Sequence, residues 1–244
     1  GGSTSSDTYE WDGSLWIRCV PALSPAVRTH ATLVYDSGRH RSVLYGGLNP
    51  IGELDDTWEW DGSSWSQNAP ATKPSRRSAA ASAYDSSRNR IVLFGGRYQG
   101  VPQGDTWEWD GTNWIQRFPP STPPPRSSAA CTYDSSRGKL VLFGGLGSAG
   151  YLSDTWEWDG LDWTQKFPIS SPPGRAFPAA AFDSARGRSV VFGGSLMTNV
   201  FLADTWEWDG STWVGRSTAT SPPPRVDAAL VYDSNRGKMV LFGG

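Results

Sequence analysis

Short apolar and polar segments follow one another along this chain in a fixed order. In the clearest copy, a run of small residues at 78–84 is followed by a polar turn and a short apolar run at 90–94. A diglycine and a variable loop come next. Residues 105–109 then carry aromatic side chains at alternate positions, before an Asp-Gly turn and a segment around Trp114. Alternation with period two, interrupted by turn residues, predicts four antiparallel strands.

This four-strand unit recurs along the whole chain. The motif Asp-Thr-(Trp/Tyr)-Glu-Trp-Asp-Gly begins at Asp7, Asp56, Asp105, Asp154 and Asp204. The motif and the diglycine both advance by 49, 49, 49 and 50 residues. A unit of this length with four short strands is typical of a β-propeller blade, which cannot bury both of its faces alone. The sequence therefore predicts an all-β fold, a five-bladed β-propeller of four-stranded antiparallel blades.

The phase of the repeats predicts how such a ring would close. We expect one domain, residues 1–244, with blades at residues 26–68, 75–117, 124–166 and 173–216, and a fifth blade made of residues 223–244 together with 7–19. In this arrangement the two N-terminal strands act as strands 3 and 4 of the fifth blade. Their pairing with the two C-terminal strands would remove the free sheet edges. An array of any length cut at the same points has this phase, so closure between chains is the alternative.

Side-chain size predicts the order of the strands from the axis outward. The first strand of the units is rich in Ala and Ser, and only small residues fit where five blades converge. All 14 Trp fall in three repeat columns, with Tyr9 in the one vacancy. We expect these aromatic residues to pack between blades, where burying one large apolar side chain contributes about 1.5–3 kcal/mol or more. This regularity favours a core role over sugar stacking.

Composition and charge exclude several classes of function. The net charge is −2, and 20 of the 24 acidic residues lie in four repeat columns. No basic stripe is present, so we expect no nucleic-acid partner. No apolar run approaches the length of a membrane span, and residues 1–6 lack a signal-peptide core, so we expect no membrane insertion. Cys19 and Cys131 lie in different columns of non-adjacent repeats, which disfavours a disulfide.

The repeats resemble kelch repeats over essentially the full length. The features that carry the resemblance are a diglycine after the second strand, then an aromatic residue and a Trp with six residues between them. Gly95-Gly96 with Trp107 and Trp114 is one example. The Trp-rich form with its Asp-Ser-x-Arg turn is more similar to bacterial members than to animal adaptor proteins, which implies a bacterial source and is compatible with secretion or the cell surface. Most kelch propellers have six or seven blades. Five blades leave three alternatives: a small natural propeller, an excised or designed array, or a ring completed between chains.

Residues that do not repeat are concentrated on one predicted face. The turns on the other face are nearly uniform, whereas the loops between strands 2 and 3 and between strands 4 and 1 differ from copy to copy. These loops contain Arg76, Arg97, Tyr98, Tyr151, Met197 and Phe201, and the mouth of the inner strand contains His30, Phe177 and Asp227 in place of small residues. We expect a binding site there, because ligands are commonly held by loops on a rigid scaffold. Drift of unconstrained loops explains the pattern equally well.

An arginine precedes the first strand of every unit and has two interpretations. These arginines are Arg28, Arg77, Arg126, Arg175 and Arg225. In kelch members that bind acidic peptides, arginines here and just after the diglycine line the binding mouth. The resemblance therefore implies that this column, with Arg97, holds carboxylates or phosphates. We favour the second interpretation, in which a residue present in every blade pairs with a scaffold acid such as Asp56 or Glu59.

No catalytic arrangement can be picked out from the sequence. Some related propellers are oxidases that hold copper through two His and two Tyr, but the two histidines here, His30 and His40, are predicted to lie on opposite faces. No phosphate loop, metal-spaced cluster or Ser-His-acid set is present. We therefore expect no enzyme and no cofactor, but a monomeric module that binds a peptide, protein or glycan. The alternative is a structural or assembly repeat body, such as a surface component or an engineered minimal propeller, that has no small ligand and self-associates.

Overall fold

The structure is a computed structural model and describes residues 5–197 and 200–244. These residues form strands and turns, and none of them forms a helix that could cross a membrane. In chain order the strands are β1 (Thr8–Trp11), β2 (Trp16–Cys19), β3 (Thr32–Asp36), β4 (Arg41–Tyr45), β5 (Leu48–Asn49), β6 (Gly52–Glu53), β7 (Thr57–Trp60), β8 (Trp65–Asn68), β9 (Ala81–Asp85), β10 (Arg90–Phe94), β11 (Arg97–Tyr98), β12 (Val101–Pro102), β13 (Thr106–Trp109), β14 (Trp114–Arg117), β15 (Ala130–Asp134), β16 (Lys139–Phe143), β17 (Leu146–Gly147), β18 (Gly150–Tyr151), β19 (Thr155–Trp158), β20 (Trp163–Lys166), β21 (Ala179–Asp183), β22 (Arg188–Phe192), β23 (Ser195–Met197), β24 (Val200–Phe201), β25 (Thr205–Trp208), β26 (Trp213–Arg216), β27 (Ala229–Asp233) and β28 (Lys238–Phe242).

Four antiparallel sheets of four strands confirm the predicted repeat unit. Their strand orders are β3-β4-β7-β8, β9-β10-β13-β14, β15-β16-β19-β20 and β21-β22-β25-β26, and we call these sheets blades 1 to 4. The register is the same in each blade, since Ile91 lies opposite Trp109 in blade 2 as Leu140 lies opposite Trp158 in blade 3. The described residues thus form an all-β, repeated blade structure, consistent with a β-propeller repeat protein.

A small hairpin joins the second and third strands of each blade. These hairpins are β5-β6, β11-β12, β17-β18 and β23-β24. Each is attached to the segment that leads into the first strand of its own blade; in blade 2, Ser78 forms an antiparallel bridge with Arg97. The variable loops between strands 2 and 3 therefore contain short two-stranded hairpins, which lie beside the segments that lead into the first strands.

Tryptophan side chains fill the space between successive blades. Trp109 and Trp114 of blade 2 are fully buried and belong to one cluster with Val43 and Tyr45 of blade 1. The Trp114 indole donates to Thr57 Oγ1 at 3.0 Å, and the ring centroids of Tyr45 and Trp114 are 5.0 Å apart. The same packing joins blade 2 to blade 3 and blade 3 to blade 4. Most of the apolar burial that stabilises the chain is therefore between blades.

The prediction of buried aromatic columns fails at the N-terminal end. Strands β1 and β2 form a separate two-stranded sheet, the N-terminal hairpin, in which Trp11 and Trp16 are 52% and 61% exposed. In blades 2 to 4 the equivalent indoles pack against the blade that precedes them, and no blade lies in that position here. The hairpin is nevertheless attached to blade 1, because Trp60 and Trp65 donate to Glu10 and Thr8, each at 2.7 Å.

Strands β27 and β28 form the second separate sheet, the C-terminal hairpin, which follows blade 4. Described strands of the two hairpins do not pair with each other, so the predicted closure of the ring is not formed in this structure. A cavity of about 720 Å³ lies between the hairpins, lined by Trp11 and Trp16 on one side and by Val231, Val240 and Phe242 on the other. The reason is geometric: each hairpin keeps its packing on the neighbouring blade, and a gap remains between them.

Candidate functional site

Five residues, each two positions before the first strand of its unit, surround one common cavity. They are His30, Ala79, Ser128, Phe177 and Asp227, and the cavity, which we call the axial cavity, has a volume of about 170 Å³. The structure thus brings together His30, Phe177 and Asp227, the three bulky residues that the sequence places at the mouth of the inner strand. His30 Nε2 is 3.7 Å from Asp227 Oδ2, and the centroids of the His30 and Phe177 rings are 6.1 Å apart.

The backbone at these five positions is left-handed although none of them is glycine. Their φ angles lie between 53° and 59°. This conformation costs an L-residue about 1–2 kcal/mol and is an outlier for a bulky residue such as Phe177. Strain of this kind persists only where the surroundings enforce it, and it is concentrated at ligand-binding sites.

Main-chain hydrogen bonds between blades enforce this conformation. The N–H of Ala79 donates to His30 O at 2.8 Å, and the N–H of Ser128 donates to Ala79 O at 2.8 Å. Phe177 donates to Ser128 O at 2.9 Å and Asp227 donates to Phe177 O at 3.2 Å. This belt joins five consecutive units. The corresponding bond between Asp227 and His30, at the boundary between the first and last units, is not formed among the described residues.

Four members of the arginine column lie inside the blades and pair there with aspartates. Arg77 Nη1 and Nη2 donate to the two carboxylate oxygens of Asp105 at 2.6 and 2.8 Å. Nη1 also donates to Gly95 O at 2.8 Å, and Nε donates to Ser75 O at 2.9 Å. The same paired contacts link Arg28 to Asp56, Arg126 to Asp154 and Arg175 to Asp204. These contacts favour the scaffold interpretation over anion binding, because the donors already have partners.

The pKa of the aspartate in each pair is lowered by these contacts. Burial alone raises the pKa of Asp105, but the hydrogen bonds and charge of Arg77 and the indole of Trp107 outweigh it, so the pKa is lowered from its ordinary value. The carboxylate is therefore held in its charged form, and the ion pair links the start of the first strand to the start of the third strand of the same blade.

Arg225 differs from the other members of its column. Its guanidinium donates to Pro223 O at 3.1 Å and to Gly243 O at 2.8 Å. Within the described part of the chain no carboxylate lies within ion-pair distance of it. The equivalent acid by repeat position is Asp7, which instead pairs with Arg18 at 2.8 Å in the N-terminal hairpin.

The other candidate residues lie on the small hairpins and connectors, away from the axial cavity. Arg97 and Tyr98 form β11 and Tyr151 ends β18, all half-buried. Phe201 ends β24 and is 48% exposed, and Arg76 is exposed in a connector. Met197 ends β23, and its side chain is outside the described part. None of these residues lines the axial cavity.

A groove that the sequence does not predict occurs at equivalent positions of two blades. In blade 1 it has a volume of about 420 Å³ and is lined by Asp55, Gln67, Asn68 and Lys73 among others. In blade 2 it has a volume of about 310 Å³ and is lined by Gln116, Arg117, Phe118 and Thr122 among others. Phe118, the residue that follows the fourth strand of blade 2, is apolar and 83% exposed in this groove.

Within residues 5–197 and 200–244, no three His, Cys, Asp or Glu residues come together as a metal site. Cys19 and Cys131 are free thiols, and burial raises the pKa of Cys131 to about 12, so this thiol stays protonated at neutral pH. His40 contacts the Tyr35 hydroxyl through Nδ1 at 3.2 Å, in the turn between β3 and β4.

Comparison with known proteins does not assign the chain to a family. A scan against protein-family models finds no match, and a search of curated proteins finds none either. The class that the structure supports is an all-β repeat protein built of Trp-rich four-stranded blades.

Proposed function

We propose that this chain is a kelch-type β-propeller of the Trp-rich bacterial form. In this proposal it is a non-catalytic module that presents its variable-loop face to a peptide, protein or glycan. The observation that carries the proposal is the convergence of three non-repeating residues, His30, Phe177 and Asp227, on one cavity. Blades 1 to 4 repeat closely elsewhere, and a site that departs from the repeat on one face of such a scaffold is where ligand recognition is expected.

The contacts of the arginine column decide which ligand chemistry we favour. Arg77, Arg126 and Arg175 are buried and bonded to scaffold carboxylates. To bind an anionic ligand, these arginines would have to leave their buried ion pairs, which costs about 3–5 kcal/mol for each pair. The proposal therefore does not include the acidic peptide ligand that some kelch members bind.

Panning of a random peptide library on phage tests the proposal, together with a glycan array. We expect enriched sequences or glycans that bind the native protein and lose at least tenfold in affinity when Tyr98 and Tyr151 are replaced by Ala. The variant must unfold at the same temperature as the native protein. A library that yields no binder, or binders indifferent to the loop and cavity residues, would contradict the proposal.

We also propose that the ring closes within one chain, with β28 paired to β1. The support comes from arginine–carboxylate pairs that recur in every complete blade. The equivalent residues of the fifth unit are present, but they lie apart on the two terminal hairpins. In the closed ring Arg225 would pair with Asp7, as Arg77 pairs with Asp105 at 2.6 Å, and Arg236 would pair with Glu10, as Arg88 pairs with Glu108 at 2.6 Å. Closure would also bury Trp11 and Trp16, which removes large apolar surface from water.

A disulfide cross-link distinguishes closure within the chain from closure between chains. The register of blade 2, where Leu93 lies opposite Trp107, places Leu241 opposite Tyr9. We expect Tyr9→Cys with Leu241→Cys, in a background without Cys19 and Cys131, to form an internal disulfide in a 26.5 kDa species. The off-register pair Tyr9→Cys with Met239→Cys is the control. Covalent dimers or longer ladders would instead support the assembly alternative.

The assembly alternative has one observation in its favour. The two terminal hairpins expose complementary strand edges and a shared apolar cavity, and such edges pair readily with other chains. A structural repeat body of this kind predicts defined multiples of the 26.5 kDa mass in native mass spectrometry. A single species of that mass would support the closed monomer.

A further inference from the structure

The axial cavity differs in chemistry from the repeats around it. At its five left-handed positions two blades carry the small residues Ala79 and Ser128, whereas the other three units carry His30, Phe177 and Asp227. Glycine adopts this conformation without steric penalty. A bulky residue at the same position adds backbone strain, and the only feature that it contributes in return is its side chain. The three side chains all border the same small space.

Main-chain groups contribute little to the polar chemistry of this cavity. Four successive N–H to C=O bonds of the belt occupy donors and acceptors of the five residues. A ligand on the axis must therefore be recognised mainly by side chains. Those side chains are one carboxylate, one imidazole, one aromatic ring and the hydroxyl of Ser128.

The charge of the cavity is negative. Among the described residues that line it, Asp227 is the only carboxylate, and no Lys or Arg joins it. Asp227 is one of four acidic residues outside the repeat columns, and its side chain is 53% exposed. The column of Arg28 and its equivalents lies close by in sequence, but those guanidinium groups are turned into the blades.

We propose that the axial cavity binds the ammonium group of a lysine side chain in a bound peptide. This inference rests on the proposed binding function and names the ligand chemistry of that same site. Asp227 pairs with the ammonium and Phe177 offers its ring face. His30 borders the same space, with its Nε2 3.7 Å from Asp227 Oδ2.

Hydrogen-bond geometry favours a lysine ammonium over an arginine guanidinium. The cavity of about 170 Å³ has room for a few non-hydrogen atoms, the bulk of an alkylammonium stem. A guanidinium is a planar fork that is best matched by a carboxylate accepting two parallel bonds. Asp227 already has Oδ2 directed at His30, so a compact cation with three rotatable donors fits these partners better.

Proton NMR of the two histidines in heavy water provides the test. The probe is n-butylammonium, titrated at constant ionic strength and pH 8, where imidazole is neutral. The chain has only His30 and His40, and His30→Gln assigns the two Hε1 signals. We expect the His30 signal to shift along a saturable curve with a millimolar Kd while the His40 signal stays fixed. Uncharged n-butanol is the control for apolar binding.

Two variants connect the shift with the proposed contacts. Asp227→Asn should weaken n-butylammonium binding at least tenfold, and Phe177→Leu should weaken it about threefold or more. The matched control is Asp162→Asn, another acid outside the repeat columns, whose Oδ1 accepts the N–H of Ser121 at 2.9 Å and which can keep that bond as an amide. Equal shifts of both histidines, an equal response to n-butanol, tighter binding of ethylguanidinium, or no effect of Asp227→Asn would each overturn the proposal.

The outcome separates this inference from the binding function itself. If peptides from the phage library bind the loop face but tolerate Lys→Ala changes and the Asp227→Asn variant, the peptide function stands and the ammonium site is refuted. If n-butylammonium binds as expected and no peptide is enriched, the cavity chemistry stands and the peptide function fails.

Discussion

The indole N–H of Trp60 donates to the carboxylate of Glu10 at 2.7 Å, across the boundary between blade 1 and the N-terminal hairpin. The same bond recurs at each following boundary, where Trp109, Trp158 and Trp208 donate to Glu59, Glu108 and Glu157 at 3.1, 3.3 and 3.0 Å. Glu59, Glu108 and Glu157 also accept from an arginine of their own blade, namely Arg39, Arg88 and Arg137 in that order, so each of these three carboxylates links its blade to the next one. Stability in this fold therefore depends on a chain of boundary contacts more than on any single blade.

Glu108 is the most buried carboxylate of this chain of contacts, so we expect Glu108→Ala to be strongly destabilising. It accepts hydrogen bonds from Arg88, Arg117 and Trp158, and its side chain is fully buried. Removing it leaves Arg117 without its carboxylate, Arg88 with Asp85 alone and the Trp158 indole without its acceptor, so the free energy of unfolding should fall by about 3–5 kcal/mol. Urea denaturation measures this. Glu53→Ala, outside the repeat columns, is the control and should change the value by less than about 0.5 kcal/mol.

Arg126→Ala distinguishes the two interpretations of the first arginine column. Arg126 is fully buried and bonded to Asp154 through both terminal nitrogens. The scaffold interpretation predicts a loss of about 3–5 kcal/mol in the free energy of unfolding, because Asp154 is left charged and without its partner. Thermal denaturation with and without added acidic peptide is the measurement. An unchanged melting temperature with lost anion binding would reinstate the ligand interpretation.

Repeat columns made part of this architecture predictable. Arg77 and Asp105 have equivalents in the other units, which indicates a structural role for both residues. The sequence pattern therefore predicted the column of Asp105 as a possible partner of the arginine column. His30, Phe177 and Asp227 were also identifiable, because they interrupt a column of small residues. Their left-handed backbone was not, since Ala79, Ser128 and Phe177 carry no local preference for that conformation and tertiary hydrogen bonds impose it. The separation of the two terminal hairpins could not be predicted either, because the repeat pattern is the same whether or not β28 pairs with β1.

Acid should destabilise the fold through the paired aspartates. In Asp56, Asp105 and Asp154, burial raises the pKa, but arginine and indole hydrogen bonds outweigh it and leave the folded-state pKa below the ordinary value. A depressed folded-state pKa contributes stability that is present above the unfolded-state pKa and is lost as pH falls through the folded-state pKa. We expect a stability plateau above about pH 5 and a steep decline between about pH 4 and pH 2.

Urea denaturation at a series of pH values measures this decline. Asp105→Asn removes one depressed carboxyl group, so it should lower stability at pH 7 and make the decline below pH 4 shallower. Asp162→Asn, which changes a group outside these pairs, should leave the slope unchanged. A native protein that keeps its full stability at pH 2 would contradict the assignment of charged, paired aspartates.

A pair of glycine substitutions tests the closed ring in solution. Gly160 has φ +98°, and a Cβ there would lie 2.7 Å from the guanidinium of Arg88 in the preceding blade, which Asp85 and Glu108 hold in place. Gly62 occupies the same repeat position with φ +94°, but nothing lies within 4 Å of its Cβ position. Backbone strain is therefore matched between the two sites, and the difference between them is the packed arginine.

Closure would bring Arg236 of the C-terminal hairpin against Gly62, as Arg88 lies against Gly160. In the closed ring we expect Gly62→Ala and Gly160→Ala to lower the free energy of unfolding equally, by about 2–4 kcal/mol from backbone strain and displacement of the arginine together. In an open ring only the strain remains at Gly62, about 1–2 kcal/mol. Arg236→Ala should then abolish the excess cost of Gly62→Ala in a double-mutant cycle if the ring is closed, because no guanidinium is left to displace. Additive effects of the two changes would place the C-terminal hairpin away from blade 1 and refute closure within the chain.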